Sequence, residues 1–322
     1  MDNRLRFLTN KIFLLFAVIA FLISGSFFYQ LSPVSSSAPA RIFEIRPGEG
    51  FFEISARLKS GNFIRSIAAF EIYSVIIGSA RKMKPGIYEL SAGSSAPRIA
   101  GILSGPANET EVTILDGASV YDIDALLGAK KILPAGFLIS FAQNNDIEGK
   151  LYPDTYKFFE HSDVKTVVDK FLENFRAKAE PILNNAPVHY KSNLILASLV
   201  QKEVSDPTDS RIVAGILKKR LSAGMKLDVD ATICYLKKIL KGQSACYPLE
   251  SSDFKIDSPY NTYLGAGLPP GPIGSPNESA LKAVLNPISS PYWFYLSDPK
   301  TGKTIFSETL DEQSANRGIY LK

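Results

Sequence analysis

Apolar residues fill almost every position from Ile12 to Phe28, and no charged residue occurs from Ile12 through Ala40. A run of that length predicts one membrane-spanning helix over 12–31. Arg4, Arg6 and Lys11 precede it, so the positive-inside tendency places residues 1–11 in the cytoplasm and everything after Tyr29 outside. A cleaved signal peptide competes with this reading, although no clear small-x-small site follows the apolar core. Ser32–Pro39 has the serine and proline content of a linker, assigned to 32–40.

Beyond the linker the periodicity changes repeatedly. Ile42–Ile45 reads as a strand, Pro47–Gly48 as a turn, Phe51–Leu58 and Ser66–Ile77 as amphipathic helices, and Lys84–Leu90 as a turn and strand. This β-α-α-β order occupies 41–104, with one more helix at Ser95–Leu103. Val112–Ile123 repeats the order of strand, glycine turn and helix, and 105–142 is read as an intermediate segment ending in short helical structure. From 143 to 322 the pattern predicts an amphipathic helix at Val164–Lys178, helices at Ser192–Val204, Asp209–Ala223 and Ser279–Leu285, and a hairpin of Tyr292–Leu296 with Thr304–Phe306. Lys237–Phe254 is polar and reads as an insertion over one edge of a site. The fold class is α+β: a spanning helix, a small β-α-α-β module and a mixed catalytic domain.

Candidate chemistry centres on Leu194–Glu203. Leu196, Leu199 and Val200 form an apolar stripe, and Glu203, at about 100° per residue, lies on the same side as Leu199 and Val200. A carboxylate on such an edge is partly desolvated, which favours the neutral acid and suits a general acid. An ordinary solvated glutamate on a last turn is the plain alternative. Glu148 is a candidate substrate contact and the rival acid, expected to be less desolvated because it sits beside Gly149 in a loop.

Four further groups of residues suit a carbohydrate cleft. Tyr152 and Tyr156 are candidate platforms for sugar faces, with core packing as the other reading, and Asp154 a candidate for hydroxyl contacts. Asp230 is a candidate contact or a helix cap, with Thr232 beside it. Tyr260, Asn261 and Thr262 precede the turn-rich Gly267–Gly274, where they are substrate contacts or parts of a double turn.

Composition narrows the field. The 322 residues allow two domains, and 45% hydrophobic with 21% charged residues excludes wholesale disorder. A net charge of +4 with scattered basic residues gives no nucleic-acid stripe. Cys234 and Cys246 cannot alone make a structural zinc site, and His161 and His189 have no ligand spacing with them, so neither metal nor cofactor is expected. The two cysteines either pair, if the domain lies outside the membrane, or are buried thiols.

The blocks Glu148–Tyr156, Ala197–Glu203, Arg220–Asp230, Tyr260–Tyr263 and Gly267–Ile273 together resemble the YceG-like, endolytic murein transglycosylase family. The likeness covers roughly residues 41 to 317, and the family's essential glutamate falls on Glu203. It implies a plasma-membrane lyase whose LysM-like module at 41–104 holds glycan, or merely spaces the catalytic part. The implied reaction cuts the bond between N-acetylmuramic acid and N-acetylglucosamine in nascent peptidoglycan, leaving 1,6-anhydro ends. Its implied neighbours are peptidoglycan strands, their synthases and other cell-wall assembly proteins. Where the family has proline this chain has Ala231, with Thr232 kept; Thr304 and Gln313 stand near positions often held by histidine, and Gln201 where relatives carry glutamate. Two other readings remain: a silent glycan-binding scaffold, and a muramidase pairing Glu203 with Asp230 or Glu148.

Overall fold

The chain divides into two units, Met1–Thr110 and Glu111–Lys322, and the computed structural model describes residues 2–46, 48–105, 109–242 and 245–321. The first unit begins with the long helix α1 (Asp2–Leu31), of which Phe13–Leu31 is apolar and long enough to cross a membrane. Side chains from Phe13 to Phe28 are mostly exposed, whereas Leu31 is buried in the unit's own core.

After α1 come β1 (Ala40–Ile45), α2 (Phe51–Ser60), α3 (Ile67–Ile76), β2 (Gly86–Ser91) and α4 (Ala96–Ser104). The strands pair antiparallel with Phe43 opposite Tyr88. Alternation puts Phe43, Ile45, Tyr88 and Leu90 inside, against Leu58, Phe70, Ile99 and Leu103 from the helices. Each such fully buried apolar side chain is worth about 1.5–3 kcal/mol. The expected β-α-α-β order is therefore present; of its Pro47–Gly48 turn, Pro47 lies outside the described residues. Residues 32–40 depart from the linker expectation. The Pro33 carbonyl accepts from Arg65 Nε (2.9 Å), the Ser35 N–H donates to Ala92 O (3.1 Å) and Ser91 Oγ donates to Ala38 O (2.7 Å). All three use main-chain atoms of the segment, which linker composition leaves free to pair.

In the second unit, β3 (Glu109–Thr113), at whose middle the two units divide, pairs with β4 (Thr155–Phe159). With α5 (Val120–Ala129), α6 (Phe137–Gln143) and α7 (Val164–Lys178) they enclose one core, in which Ile123, Leu127 and Leu138 meet Phe158, Val167 and Phe171. The expected division at 142/143 runs through this core, because the partners of the 112–138 segment come from residues after 147.

A second core is built on α9 (Tyr190–Glu203), which follows the short α8 (Glu180–Leu183), and on α10 (Pro207–Ser222), α11 (Asp230–Lys241) and α12 (Glu278–Leu285). Residues Asn193 to Val200 of α9 are all buried, so the helix is enclosed rather than striped. Ser198 is satisfied inside: its hydroxyl donates to Ile195 O (2.7 Å) and accepts the Ile273 N–H (3.1 Å). Loop 271–275 is bound to the loop before α5 through Gly117 N–H to Ser275 O (2.8 Å) and Ser275 N–H to Ala118 O (2.9 Å). Gly274 is needed there, since a Cβ would stand 2.2 Å from Gly117 O.

The chain ends with the antiparallel hairpin β5 (Phe294–Ser297) and β6 (Thr304–Ser307), as expected, followed by α13 (Leu310–Tyr320), which was not. Apart from its capping box of Thr309 and Glu312, α13 has little apolar periodicity and buries none of its residues.

Candidate active site

Glu203 closes α9. The helix stops there because Val204 is extended and Asp206 caps the next helix, accepting the Thr208 and Asp209 N–H groups (2.8 and 2.9 Å) ahead of Pro207 at its first turn. The side chain is half-buried on one wall of a cleft of about 1020 Å³. Burial pushes its carboxyl up to about 7, helped by the negative charge of Asp230 and opposed by the Tyr295 hydroxyl, the Ala231 N–H and Arg220. Those opposing groups matter chemically: they favour the Glu203 carboxylate once the proton has left. The Ala231 N–H belongs to the first turn of α11, where unpaired amides favour an anion.

Asp230 is the first residue of α11 and lines the same cleft. It is not the cap, as the sequence suggested; Val229 holds that position, and the Asp230 carboxylate instead accepts the Tyr263 hydroxyl. Arg220, buried between the helices and the hairpin, donates to Trp293 O (2.8 Å) and Leu227 O (2.7 Å) and stands 4.0 Å from Asp228. Asp228 itself has φ 49°, a left-handed conformation that Asp tolerates better than most residues.

Several expected substrate contacts turn out to build the frame. Thr232 and Thr262 are buried and bonded to each other (3.1 Å), and Thr262 Oγ1 accepts the Val229 N–H (3.0 Å), which sets the start of α11. Asn261 is 3% exposed and donates to Phe254 O (3.1 Å) and Ile256 O (2.8 Å). Tyr152 and Tyr156, 5% and 8% exposed, lie in the two cores with the Tyr156 hydroxyl on Tyr152 O (2.6 Å), so neither offers a face to a sugar. Asp154 lies outside the cleft, where Lys178 and Asn174 hold its carboxyl at about 2.

Glu148 corrects the sequence reading in the other direction. It was expected to be less desolvated than Glu203, yet burial raises its carboxyl to about 7 as well, against hydrogen bonds from the Val120 N–H (3.2 Å) and Tyr235 hydroxyl (3.1 Å). Gly149, at φ 79°, brings this loop under the proline wall, where a Cβ would meet Pro272 at 2.6 Å. Glu148 is not among the cleft-lining residues; Tyr235 is, with its ring 5.2 Å from that of Tyr260 and 6.2 Å from that of Tyr121. Tyr260 thus supports Tyr235 rather than lining the cleft.

Reasoning from sequence missed Tyr235, Tyr247, Tyr263 and Tyr295 as cleft residues, although Tyr263 sits in a quoted block and Tyr295 in the aromatic strand. Gln313, noted as standing near a family histidine position, lines the cleft and bridges the hairpin, accepting from Ser307 Oγ (3.0 Å) and donating to Tyr295 O (2.9 Å). Cys234 and Cys246 pair as a disulfide on the cleft wall, which decides between the two cysteine readings. The arrangement supplies one carboxylic acid able to hold a proton near neutral pH in a cleft of about 1020 Å³, beside a second carboxylate engaged by a tyrosine.

Comparison with known proteins agrees with the motif resemblance. The profile of the YceG-like family matches residues 43–318. The endolytic murein transglycosylase of Bacillus subtilis is 27% identical over 339 residues, spanning 93% of this chain and 91% of the relative. That of Streptococcus pneumoniae is 28% identical over 173 residues, 53% of this chain but 31% of the relative's own length. A crystal structure of a YceG-like protein from Listeria monocytogenes superposes with a TM-score of 0.54 at 26% identity, covering 87% of this chain and 100% of the other.

Proposed function

The chain belongs to the YceG-like family, and from that premise we propose that it is a membrane-anchored endolytic lytic transglycosylase acting on nascent peptidoglycan. The observation that carries the reading is Glu203: a single cleft carboxyl raised to about 7, in the chain segment where the family's glutamate falls. As an acid it gives its proton to the bridging oxygen between N-acetylmuramic acid and N-acetylglucosamine, and the C1–O electron pair leaves with that oxygen. The positive charge at C1 is shared with the substrate's N-acetyl group. The C6 hydroxyl of the same sugar then bonds to C1 and returns its proton to Glu203. A 1,6-anhydro ring results, no water is consumed and the enzyme is restored. Between the two transfers the Tyr295 hydroxyl and the Ala231 N–H favour the charged form of the Glu203 carboxylate.

Two observations support the location. The exposed apolar α1 suits a single span, with the cytoplasmic end before it. The disulfide suits an oxidising compartment for the catalytic unit. The β-α-α-β order of the first unit supports a LysM-like glycan-holding role.

A muramidase is the reading favoured by Asp230, a second carboxylate in the cleft whose charge reaches Glu203. The two differ in their products. Digestion of purified peptidoglycan is expected to give muropeptides lighter by one water than hydrolytic ends, and Glu203→Gln is expected to lower the rate by at least about 10² to 10⁴. Reducing ends would establish the hydrolase instead, and glycan binding without cutting would establish a scaffold.

A further inference from the structure

Between α11 and the turn-rich wall, the cleft is lined by half-buried Phe254 and Tyr263 and by one exposed aromatic ring. Tyr247 is 67% exposed and lines the cleft with Glu203 and Asp230. Its phenol is pushed up by partial desolvation and by the charges of Asp230 and Glu203.

An exposed tyrosine alone signifies little, but the backbone on both sides of this one is fastened. Cys246 is bridged to Cys234 of α11, with the Cα atoms 4.9 Å apart. Lys237, also on α11, is buried and donates to Cys246 O (2.7 Å) and Pro248 O (3.2 Å), the carbonyls before and after Tyr247. Its charge is balanced by buried Asp253 at 3.2 Å, which also pairs with Lys241 (2.8 Å) and accepts the Glu250 N–H (3.0 Å). A lysine at that depth is tolerated only when paired and hydrogen-bonded. Here those bonds fix the two neighbours of an otherwise solvated ring. A ring held in place before binding loses little freedom when a ligand covers it.

We infer that Tyr247 is a carbohydrate-stacking platform, on which the apolar C–H face of a pyranose next to the bond cut by Glu203 is laid. The inference rests on the glycan-cutting reading above and adds to it a residue that sets how a strand is held. Stacking needs the ring and not the hydroxyl, so Phe and Trp should replace Tyr where Ala cannot.

The test is kinetics on purified glycan strands for the parent and for Tyr247→Ala, Tyr247→Phe and Tyr247→Trp, with pelleting on insoluble peptidoglycan in a Glu203→Gln background. Tyr247→Ala is expected to lower kcat/KM about tenfold, mainly through KM, and to weaken pelleting by a similar factor, while Phe and Trp stay within about twofold of the parent. Ala matching the parent in KM and pelleting would overturn the platform. Phe failing as badly as Ala would also overturn it, by assigning the effect to the hydroxyl. A parent that bound glycan but did not cut it would end the lytic reading, and the pelleting comparison would then decide the platform by itself.

Discussion

Asp230 faces Glu203 from the first turn of α11, and its negative charge is, after burial, the cause that holds the Glu203 carboxyl near 7. Because the acid must enter the reaction protonated, kcat/KM should fall as pH rises through about 7. Asp230→Asn removes the like charge, so the Glu203 pKa falls and the alkaline limb moves to lower pH. A pH profile of kcat/KM for the two proteins checks this; an unmoved limb would show that burial alone sets the value.

The same raised carboxyl costs stability. Its ordinary value is 4.5 and its folded value about 7. Within that window the unfolded chain has released a proton that the folded chain keeps, so stability falls as pH rises and levels off above it. Glu203→Gln should therefore be more stable than the parent at about pH 8, by at most about 3 kcal/mol, and lose that advantage by about pH 4. Urea unfolding at the two pH values measures it.

Glu148 should behave as a supporting residue. Glu148→Ala removes the acceptor of the Val120 N–H and the Tyr235 hydroxyl. A loss of about 1–3 kcal/mol is expected near pH 5, where the carboxyl is neutral, with Glu148→Gln nearer the parent. The activity loss of Glu148→Gln should be smaller than that of Glu203→Gln. An equal loss would make Glu148 a partner in the chemistry.

The disulfide joins residues 12 apart in sequence. Closing a loop of that size is worth about 3 kcal/mol by unfolded-chain entropy. Reductant should lower the Tm of the parent and leave that of a Cys234→Ser/Cys246→Ser variant unchanged; calorimetry with and without reductant decides it.

Release from membranes tests α1. Apolar side chains stand exposed along it from Phe13, so detergent and not salt should extract the full chain, and protease added to spheroplasts should remove a C-terminal tag. Protection of the tag would reverse the orientation.

Features set by close neighbours in sequence could be read directly. The apolar run predicted a helix that the structure forms, the periodicity of Val164–Lys178 gave α7 to the residue, and the break at Asp206–Pro207 placed Glu203 at a helix end. β4 was not legible: its five residues follow directly on the Tyr152–Pro153–Asp154 segment, and its partner β3 lies more than forty residues earlier. Nor could the sequence tell Tyr152 and Tyr156, which are core, from Tyr247, which is exposed, since an aromatic side chain suits either place. Periodicity, capping and turn preference act over about four residues and so are written locally. The desolvation of Glu148, the charge of Asp230 on Glu203 and the Tyr295 hydroxyl at that carboxylate arise only when distant segments converge, because burial and Coulomb interaction depend on distance in space and not along the chain.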